Sequence, residues 1–270
     1  MPVSQFNVEV MGILNVTPDS FSDGGKFNNI DSALKQAEQM VAEGADWLDI
    51  GGESTRPGAP NVSEQEELER VIPVIERCVA RFATPVSIDT SKPKVMAEAV
   101  NAGARMINDV RALQEPGALE AAAATNALVC LMHMQGQPRT MQHKPEYGDV
   151  VVEVKDFLAA RVRACTDAGI SRERILLDPG FGFGKSVRHN YELLQRLQAL
   201  HELELPLLVG MSRKSMLGQV TGKPVEQRLA ASIAAATLAA SKGARIIRVH
   251  DVAETKDAVS IVAAMMTGEL

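Results

Sequence analysis

The chain has 270 residues, 46% hydrophobic and 23% charged, which excludes an extended disordered polymer and supplies enough apolar side chains for a sizeable core. A formal net charge of −6 excludes the broad basic surface that nucleic-acid binding requires, so any bound anion must be held by a local cluster. The longest apolar run, LAASIAAATLAA (229–240), is shorter than the ~20 residues of a bilayer span, and MPVSQFNVEV at the start is unlike a signal peptide; a cytoplasmic protein with no membrane partner is expected.

Short apolar runs of strand length recur along the chain. In order they are VEVMGILNV (8–16), WLDIGG (47–52), PVSIDT (85–90), RMINDV (105–110), LVCLMH (128–133), ILLDPG (175–180), PLLVGM (206–211) and RIIRVH (245–250). Between them lie helix candidates such as SALKQAEQMVAEGA, SEQEELERVIPVIERCVA, KPKVMAEAVNAGA and EVKDFLAARVRACTDAG. In these, apolar residues return every three or four positions and a glycine often marks the end. Strands alternating with helices predict parallel pairing and right-handed crossovers.

Periodicity alone fits either a closed barrel or a long doubly wound sheet, and the polar residues separate the two. A doubly wound sheet binds its ligand at one switch point, so only a few strand ends carry chemistry. Here nearly every run ends in a reactive group: Asn15, Gly51-Gly52-Glu53, Asp89, Asn108, His133, Asp178, Ser212-Arg213-Lys214, and Arg248 with His250. A barrel gathers all eight carboxyl ends at one mouth. The expected fold is α/β, a single (β/α)8 TIM barrel domain over residues 1–270 with long mobile loops after strands 1 and 2. Cys78, Cys130 and Cys165 are widely spaced, with no C-x-x-C, and are expected as free buried thiols in a reducing compartment.

The two loops, TPDSFSDGGKF (17–27) and ESTRPGAP (53–60), are either ordinary turns or a pair of lids at one mouth. Phe21 and Pro57 are apolar residues inside polar loops, where burial against a ligand or another loop explains them. Arg56, next to Thr55, is a candidate phosphate fork. Asp89, Asn108 and Asp178 end three strands, and a buried carboxylate needs a partner. A helix cap or structural ion pair is the plain reading of each. Converging on one mouth, they offer planar acceptors and donors suited to the amino and ring N–H groups of a guanine-like or pterin-like heterocycle.

DPGFGFGKS (178–186) is not a phosphate loop, because Pro179 stands where that motif needs glycine and the remaining glycines miss the dinucleotide spacing. A tight turn that lets backbone and Phe183 approach a ligand is expected instead. GMSRKSMLG (210–218) leads Ser212, Arg213, Lys214 and Ser215 into a helix start, either an anion site for carboxylate or phosphate or a solvated basic turn. Arg248 and His250 lie two residues apart, hence on one side of their strand, beside the place where barrels often bind phosphate. His133 faces the mouth or is a satisfied core or loop histidine; His143, His189 and His201 suggest no partner, and Trp47 is read as packing. Neither G-x-S-x-G nor H-E-x-x-H is present, which removes the hydrolase and zinc-protease readings.

MGILNVTPDSFSDGG (11–25), DIGGESTRPGA (49–59), DTSKP (89–93), INDV (107–110), CLMHMQG, LLDPGFGFGK (176–185), LLVGMSRKSMLG (207–218) and IIRVHDV (246–252) together resemble the dihydropteroate synthase family along almost the whole chain. The lead before the first strand is short, which would shrink or remove the hairpin that plugs the barrel floor in some relatives. The resemblance implies condensation of 6-hydroxymethyl-7,8-dihydropterin diphosphate with p-aminobenzoate to dihydropteroate and diphosphate. It implies Asp178, Asn108 and Lys214 on the pterin ring with Asp89 beside it, and Arg248 and His250, with Arg56 or Thr55, on the diphosphate. Asn15 would hold a Mg2+ ion there, a role that suits an oxygen ligand. Phe21, Pro57, Phe183 and Ser215 would form the p-aminobenzoate site. Diphosphate would leave first, in an SN1-like step, with Asp89, Lys214, Arg248 and His250 as the catalytic set. The apolar stretch near the C-terminal end is compatible with a homodimer face. Two other readings stand beside this one: a methyltetrahydrofolate-binding barrel of a corrinoid methyltransferase, and a non-catalytic pterin-binding protein. The first has no use for a diphosphate site, so TPDSFSDGG, SRKS and RVH together favour the synthase; the second would tolerate loss of the two loops, and both are present with their polar residues intact.

Overall fold

A computed structural model describes residues 8–17, 26–54, 61–136, 141 and 145–268. All eight apolar runs form strands: β1 (Glu9–Asn15), β2 (Trp47–Gly51), β3 (Val86–Asp89), β4 (Met106–Asp109), β5 (Leu128–Met132), β6 (Ile175–Asp178), β7 (Leu208–Val209) and β8 (Ile246–Val249). The helices are α1 (Lys26–Ala42), α2 (Glu64–Arg81), α3 (Pro93–Asn101), α4 (Ala118–Ala123), α5 (Val150–Asp167), α6 (Val187–Gln195), α7 (Ser215–Thr221), α8 (Leu229–Ser241) and α9 (Val252–Thr267). Gly44, Gly103 and Gly169 follow α1, α3 and α5 with positive φ, as the glycine stop signals predict. The α2 start is also legible in sequence: Ser63 accepts the Glu66 N–H at 3.2 Å, ahead of three acidic residues in the first turn.

The strands pair in parallel in the order β6-β5-β4-β3-β2-β1-β8-β7. A parallel bridge between Leu177 and Leu207, with the Leu177 N–H on the Pro206 carbonyl at 3.0 Å, joins the two ends and makes a nearly closed (β/α)8 barrel. Short β7 is the seam.

Successive residues of a strand face opposite sides. Outward residues such as Val10, Leu14, Leu48, Ile50, Val86, Ile88, Ile107, Val129, Leu131, Ile175 and Leu177 pack with the helices in one large core. Inward residues Met11, Trp47, Met106, Cys130, Leu176, Leu208 and Ile246 form a second, smaller cluster that fills the barrel interior. Trp47 packs in this cluster and also donates its indole N–H to Glu9 at 2.7 Å. Two residues further along β2, β4, β6 and β8, the inward positions turn polar: Asp49, Asn108, Asp178 and Arg248. β3 contributes Asp89 two residues after Ser87. An apolar floor therefore lies under a polar mouth, and strand periodicity sets the step between them.

The β6 exit is pressed against the β5 exit. Gly180 has φ +70°, and a Cβ there would lie 1.8 Å from the His133 carbonyl oxygen. The buried Lys185 ammonium ties the two exits together, reaching the carbonyls of Gly180 at 2.9 Å and Phe183 at 3.1 Å and the His133 Nδ1 at 2.9 Å. The glycine turn therefore brings its backbone against the neighbouring loop. His133 is buried, edge-on to Phe157, and held down to about 2 by burial and then by Lys185, so it is a neutral packed histidine. Gly180→Ala is expected to destabilise the protein by at least about 3 kcal/mol, because a left-handed φ and a backbone clash add. Gly169→Ala, with φ +89° but nothing within 4 Å of its Cβ, is expected to cost only about 1 kcal/mol. Urea unfolding of the two variants checks the contrast.

Candidate active site

The centre of the mouth is an ion-pair cluster built from four strands. Arg248 on β8 donates through Nε to Asp49 Oδ2 at 2.6 Å and through a terminal nitrogen to Asp89 Oδ2 at 2.7 Å. Asn108 on β4 donates its amide to the same Asp49 oxygen at 3.2 Å. Asp49 is fully buried and Asn108 nearly so. Register makes these contacts: Asp89 pairs with Asn108 across β3 and β4, and Gly51 pairs with Asp89 across β2 and β3. Burial raises the Asp89 carboxyl to about 7; Arg248 opposes that shift, while Asp49, Glu67 and Asp109 reinforce it. Burial also works against the Arg248 charge, but Asp49 and Asp89 more than restore it and leave it above the usual guanidinium range.

A second group lies on the β6 and β7 side. Asp178 ends β6, buried, and accepts the Gly180 N–H at 2.7 Å. Burial raises its pKa and Lys214 opposes the rise. Lys214 stands at the N-cap of α7; its ammonium bonds the Phe181 carbonyl and sits 4.6 Å from the Phe183 ring centroid. Burial lowers the Lys214 ammonium to about 8, against the pull of Asp178. The residue before it, Arg213, takes a left-handed φ of 57° and is fixed on three sides. Its guanidinium pairs with Asp251, its N–H meets Ser232 Oγ at 2.9 Å, and its carbonyl accepts Arg228 at 2.9 Å. The basic turn is thus a braced support for Lys214, with Ser215 exposed as the first residue of α7. Ser212 instead turns to His250, its hydroxyl 3.0 Å from Nδ1 and accepting the His250 backbone N–H at 3.2 Å.

Asn15 ends β1 opposite Gly51, in the inward series Met11, Ile13, Asn15. Among the described residues no group of three His, Cys, Asp or Glu is arranged to hold a metal. A lone amide oxygen at the mouth fits a magnesium ion whose other ligands are phosphate oxygens and water, and does not fit a protein-caged structural metal. Phe21, Thr55, Arg56, Pro57 and His143 lie outside the described residues. At the edge of the second loop, Glu53 accepts the Val62 N–H at 3.4 Å, and Lys92 bonds both Glu53 and the buried Glu67.

The structure therefore brings Asp89, Asn108, Asp178, Lys214, Phe183, Arg248 and His250 to one end of the barrel. Sequence reasoning passed over Asp49. Its signal is a carboxylate in the middle of an apolar strand, two residues after an inward tryptophan. Arg248, expected on the diphosphate, is already engaged by two carboxylates, Asp49 and Asp89. A guanidinium has five N–H donors, so donors remain for an anion.

Residues 11–250 match the family described as pterin binding enzyme. Dihydropteroate synthase of Escherichia coli is 56% identical over 260 residues, covering 96% of this chain and 92% of that protein. The crystal structure of the Yersinia pestis dihydropteroate synthase with a sulfonamide drug complex superposes with a TM-score of 0.92 at 58% identity, covering 98% of this chain and 96% of the other. Dihydropteroate synthase from Xanthomonas albilineans in complex with 7,8-dihydropteroate gives a TM-score of 0.88 at 51% identity, covering 98% and 95%. A polar mouth suited to a pterin-like ring, matched over nearly the full length, places this chain in the dihydropteroate synthase family of pterin-binding barrels.

Proposed function

We propose that the protein joins 6-hydroxymethyl-7,8-dihydropterin diphosphate to p-aminobenzoate, giving 7,8-dihydropteroate and diphosphate. The observation that carries this reading is the grouping of Asp178, Asn108 and Lys214 beside the Asp89–Arg248 pair at one barrel mouth. Asp178 accepts from the amino and ring N–H groups of the pterin, Asn108 both donates and accepts, and Lys214 donates to a ring acceptor. The relative caught with 7,8-dihydropteroate supports a mouth that holds both halves of the product.

Bond cleavage between the pterin methylene and the diphosphate oxygen leaves a cation delocalised over the ring and an anion at the rim. Asp89, when ionised, lies beside the ring to stabilise the first; Arg248 and His250, with Thr55 or Arg56, neutralise the second. Magnesium on Asn15 would add positive charge to the diphosphate. The p-aminobenzoate nitrogen then forms the new bond to the methylene and loses a proton to solvent. Phe21, Pro57, Phe183 and Ser215 hold the benzoate, and sulfonamides compete there. Because α7 has only 7 residues, its carboxylate contact rests on the Ser215 hydroxyl and terminal N–H groups more than on a macrodipole.

The chain works as a homodimer in the cytoplasm. Helices α8 and α9 expose Leu238, Ile261, Met265 and Met266, with Ile261 71% and Met265 64% exposed one turn apart, an apolar stripe suited to a second copy. Cys78, Cys130 and Cys165 are free and buried, which suits a reducing compartment. Among the described residues no helix is long and apolar enough to cross a membrane.

Mass spectrometry of reactions with pterin diphosphate and magnesium, with and without p-aminobenzoate, should give dihydropteroate and diphosphate together. Pterin binding with neither product would transfer the function to the binding or methyl-presenting readings. Lys214→Ala is expected to lower kcat/KM for the pterin diphosphate at least about 100-fold; wild-type turnover would remove Lys214 from the ring site. In a pH series, kcat/KM should rise as Asp89 ionises near 7 and fall as Lys214 loses its proton near 8. Lys214→Arg should abolish the alkaline limb and leave the acid limb in place. Ile261→Glu with Met265→Glu should convert a dimer to a monomer in light scattering; an unchanged mass would clear this face.

A further inference from the structure

Asp49 touches more of the mouth than any role assigned above requires. One of its oxygens, Oδ2, serves both Arg248 Nε and the Asn108 amide, which come from strands on opposite sides of β2. The other, Oδ1, is buried and has no hydrogen-bond partner among the described residues. A carboxylate retained only for stability is expected to have both oxygens satisfied, since an orphaned buried oxygen carries the full desolvation cost. The inward neighbours of Asp49 reinforce the point. Trp47 lies one pleat below it on the apolar floor, where a hydrophobic side chain fills the same strand's preceding inward position. A charge has replaced packing at the level where the strands turn polar.

We propose that Asp49 is a positioning residue of the synthase reaction, holding Arg248 and Asn108 in one plane so that the ring-binding amide and the anion-binding guanidinium address the same substrate. This rests on the site reading above. Arg248 would otherwise be drawn wholly to Asp89, the carboxylate that must stay available to the ring. With two carboxylates on one guanidinium, Asp89 shares its cation and keeps negative charge for the developing pterin cation. The charged groups that act on Asp89 are Arg248 from β8, Asp49 from β2, Glu67 from α2 and Asp109 from β4, with Lys214 at the start of α7 interacting more weakly. Removing the Asp49 charge leaves Arg248 more tightly on Asp89.

The test is Asp49→Asn, which keeps size and one acceptor oxygen and leaves Arg248 its Asp89 partner. The variant should raise KM for pterin diphosphate about tenfold and lower kcat at least about tenfold, with KM for p-aminobenzoate unchanged. Its acid limb should move about one unit below the wild-type position, because a like charge near Asp89 is gone. In a double-mutant cycle with Asn108→Ala, the losses should be less than additive. Kinetics within twofold of wild type, an unmoved acid limb or strict additivity would overturn the positioning role. So would a fall in melting temperature with both KM values rising together, the signature of a structural residue. Should Asp49→Asn fail to fold, Asp49→Glu carries the same readouts, restoring charge with the wrong reach and predicting an unmoved acid limb but the same kcat loss. Asn108→Ala and Arg248→Met separate the levels of the argument. If they cripple turnover while Asp49→Asn does not, only the positioning role fails; if they too are inert, the site reading fails and takes this proposal with it.

Discussion

A guanidinium and three carboxylates withdrawn from water at one barrel mouth are tolerable only as a set. Each buried charge alone costs several kcal/mol, and pairing offsets that cost only with close geometry. Arg248 supplies the geometry by bridging Asp49 and Asp89 at 2.6 and 2.7 Å, while Lys214 and Asp178 balance one another across β6 and α7. Breaking the Arg248 bridge leaves a buried charge without compensation, so the parallel register of β2, β3, β4 and β8 and the polar cluster support one another. The barrel must close at the β6–β7 seam for the second group to face the first.

This interdependence explains why the loop framework is so heavily tied. Lys185 gathers carbonyls from the β6 exit and the His133 nitrogen from the β5 exit. Arg213 is braced by Asp251, Ser232 and Arg228. None of these groups needs to touch a substrate. They hold Phe183 and Lys214 against each other, and a cation over an aromatic face keeps its direction only if both are fixed. The left-handed backbone at Arg213, costing about 1 to 2 kcal/mol for a residue with a Cβ, is repaid by placing Lys214 at the start of α7 with its ammonium inside the mouth.

The fold was legible because parallel barrel strands are short apolar runs with polar ends, and those ends are chemically conspicuous. All eight runs became strands, starting at most two residues inside the apolar stretches and ending one or two residues before their last residue, where hydrogen-bonded pairing gives way to exit loops. Asp89, Asn108, Asp178, Lys214 and Arg248 were legible as strand-end or loop-start residues. Asp49 was not, because it lies inside its strand, and a lone carboxylate between Leu48 and Ile50 is noticed only when alternation is counted from Trp47. The partnership of Ser212 with His250 was equally hidden: 38 residues separate them, and only closure of β7 on β8 joins them. Nor can spacing reveal that both ends of Arg248 are already engaged, since that depends on the register of four strands.

The electrostatic state of the mouth suits a reaction that creates opposite charges a few ångströms apart. A pocket with a permanent excess of negative charge would bind the cation but repel the diphosphate, and a positive excess would do the reverse. Asp89 at about 7 and Lys214 at about 8 both titrate near neutrality, so each can change charge state at small cost when substrate enters. Their pKa values are displaced toward each other for one reason, burial, and held there by opposing partners, Arg248 for the acid and Asp178 for the base. In the proposed reaction the carboxylates of β2, β3 and β6 stay in the barrel while the negative charge of the diphosphate departs with the leaving group. That asymmetry lets a site without a strong general base favour ionisation in the proposed reaction: the cation would form beside Asp89 once that carboxyl is ionised, and the departing anion would be met by Arg248 and His250.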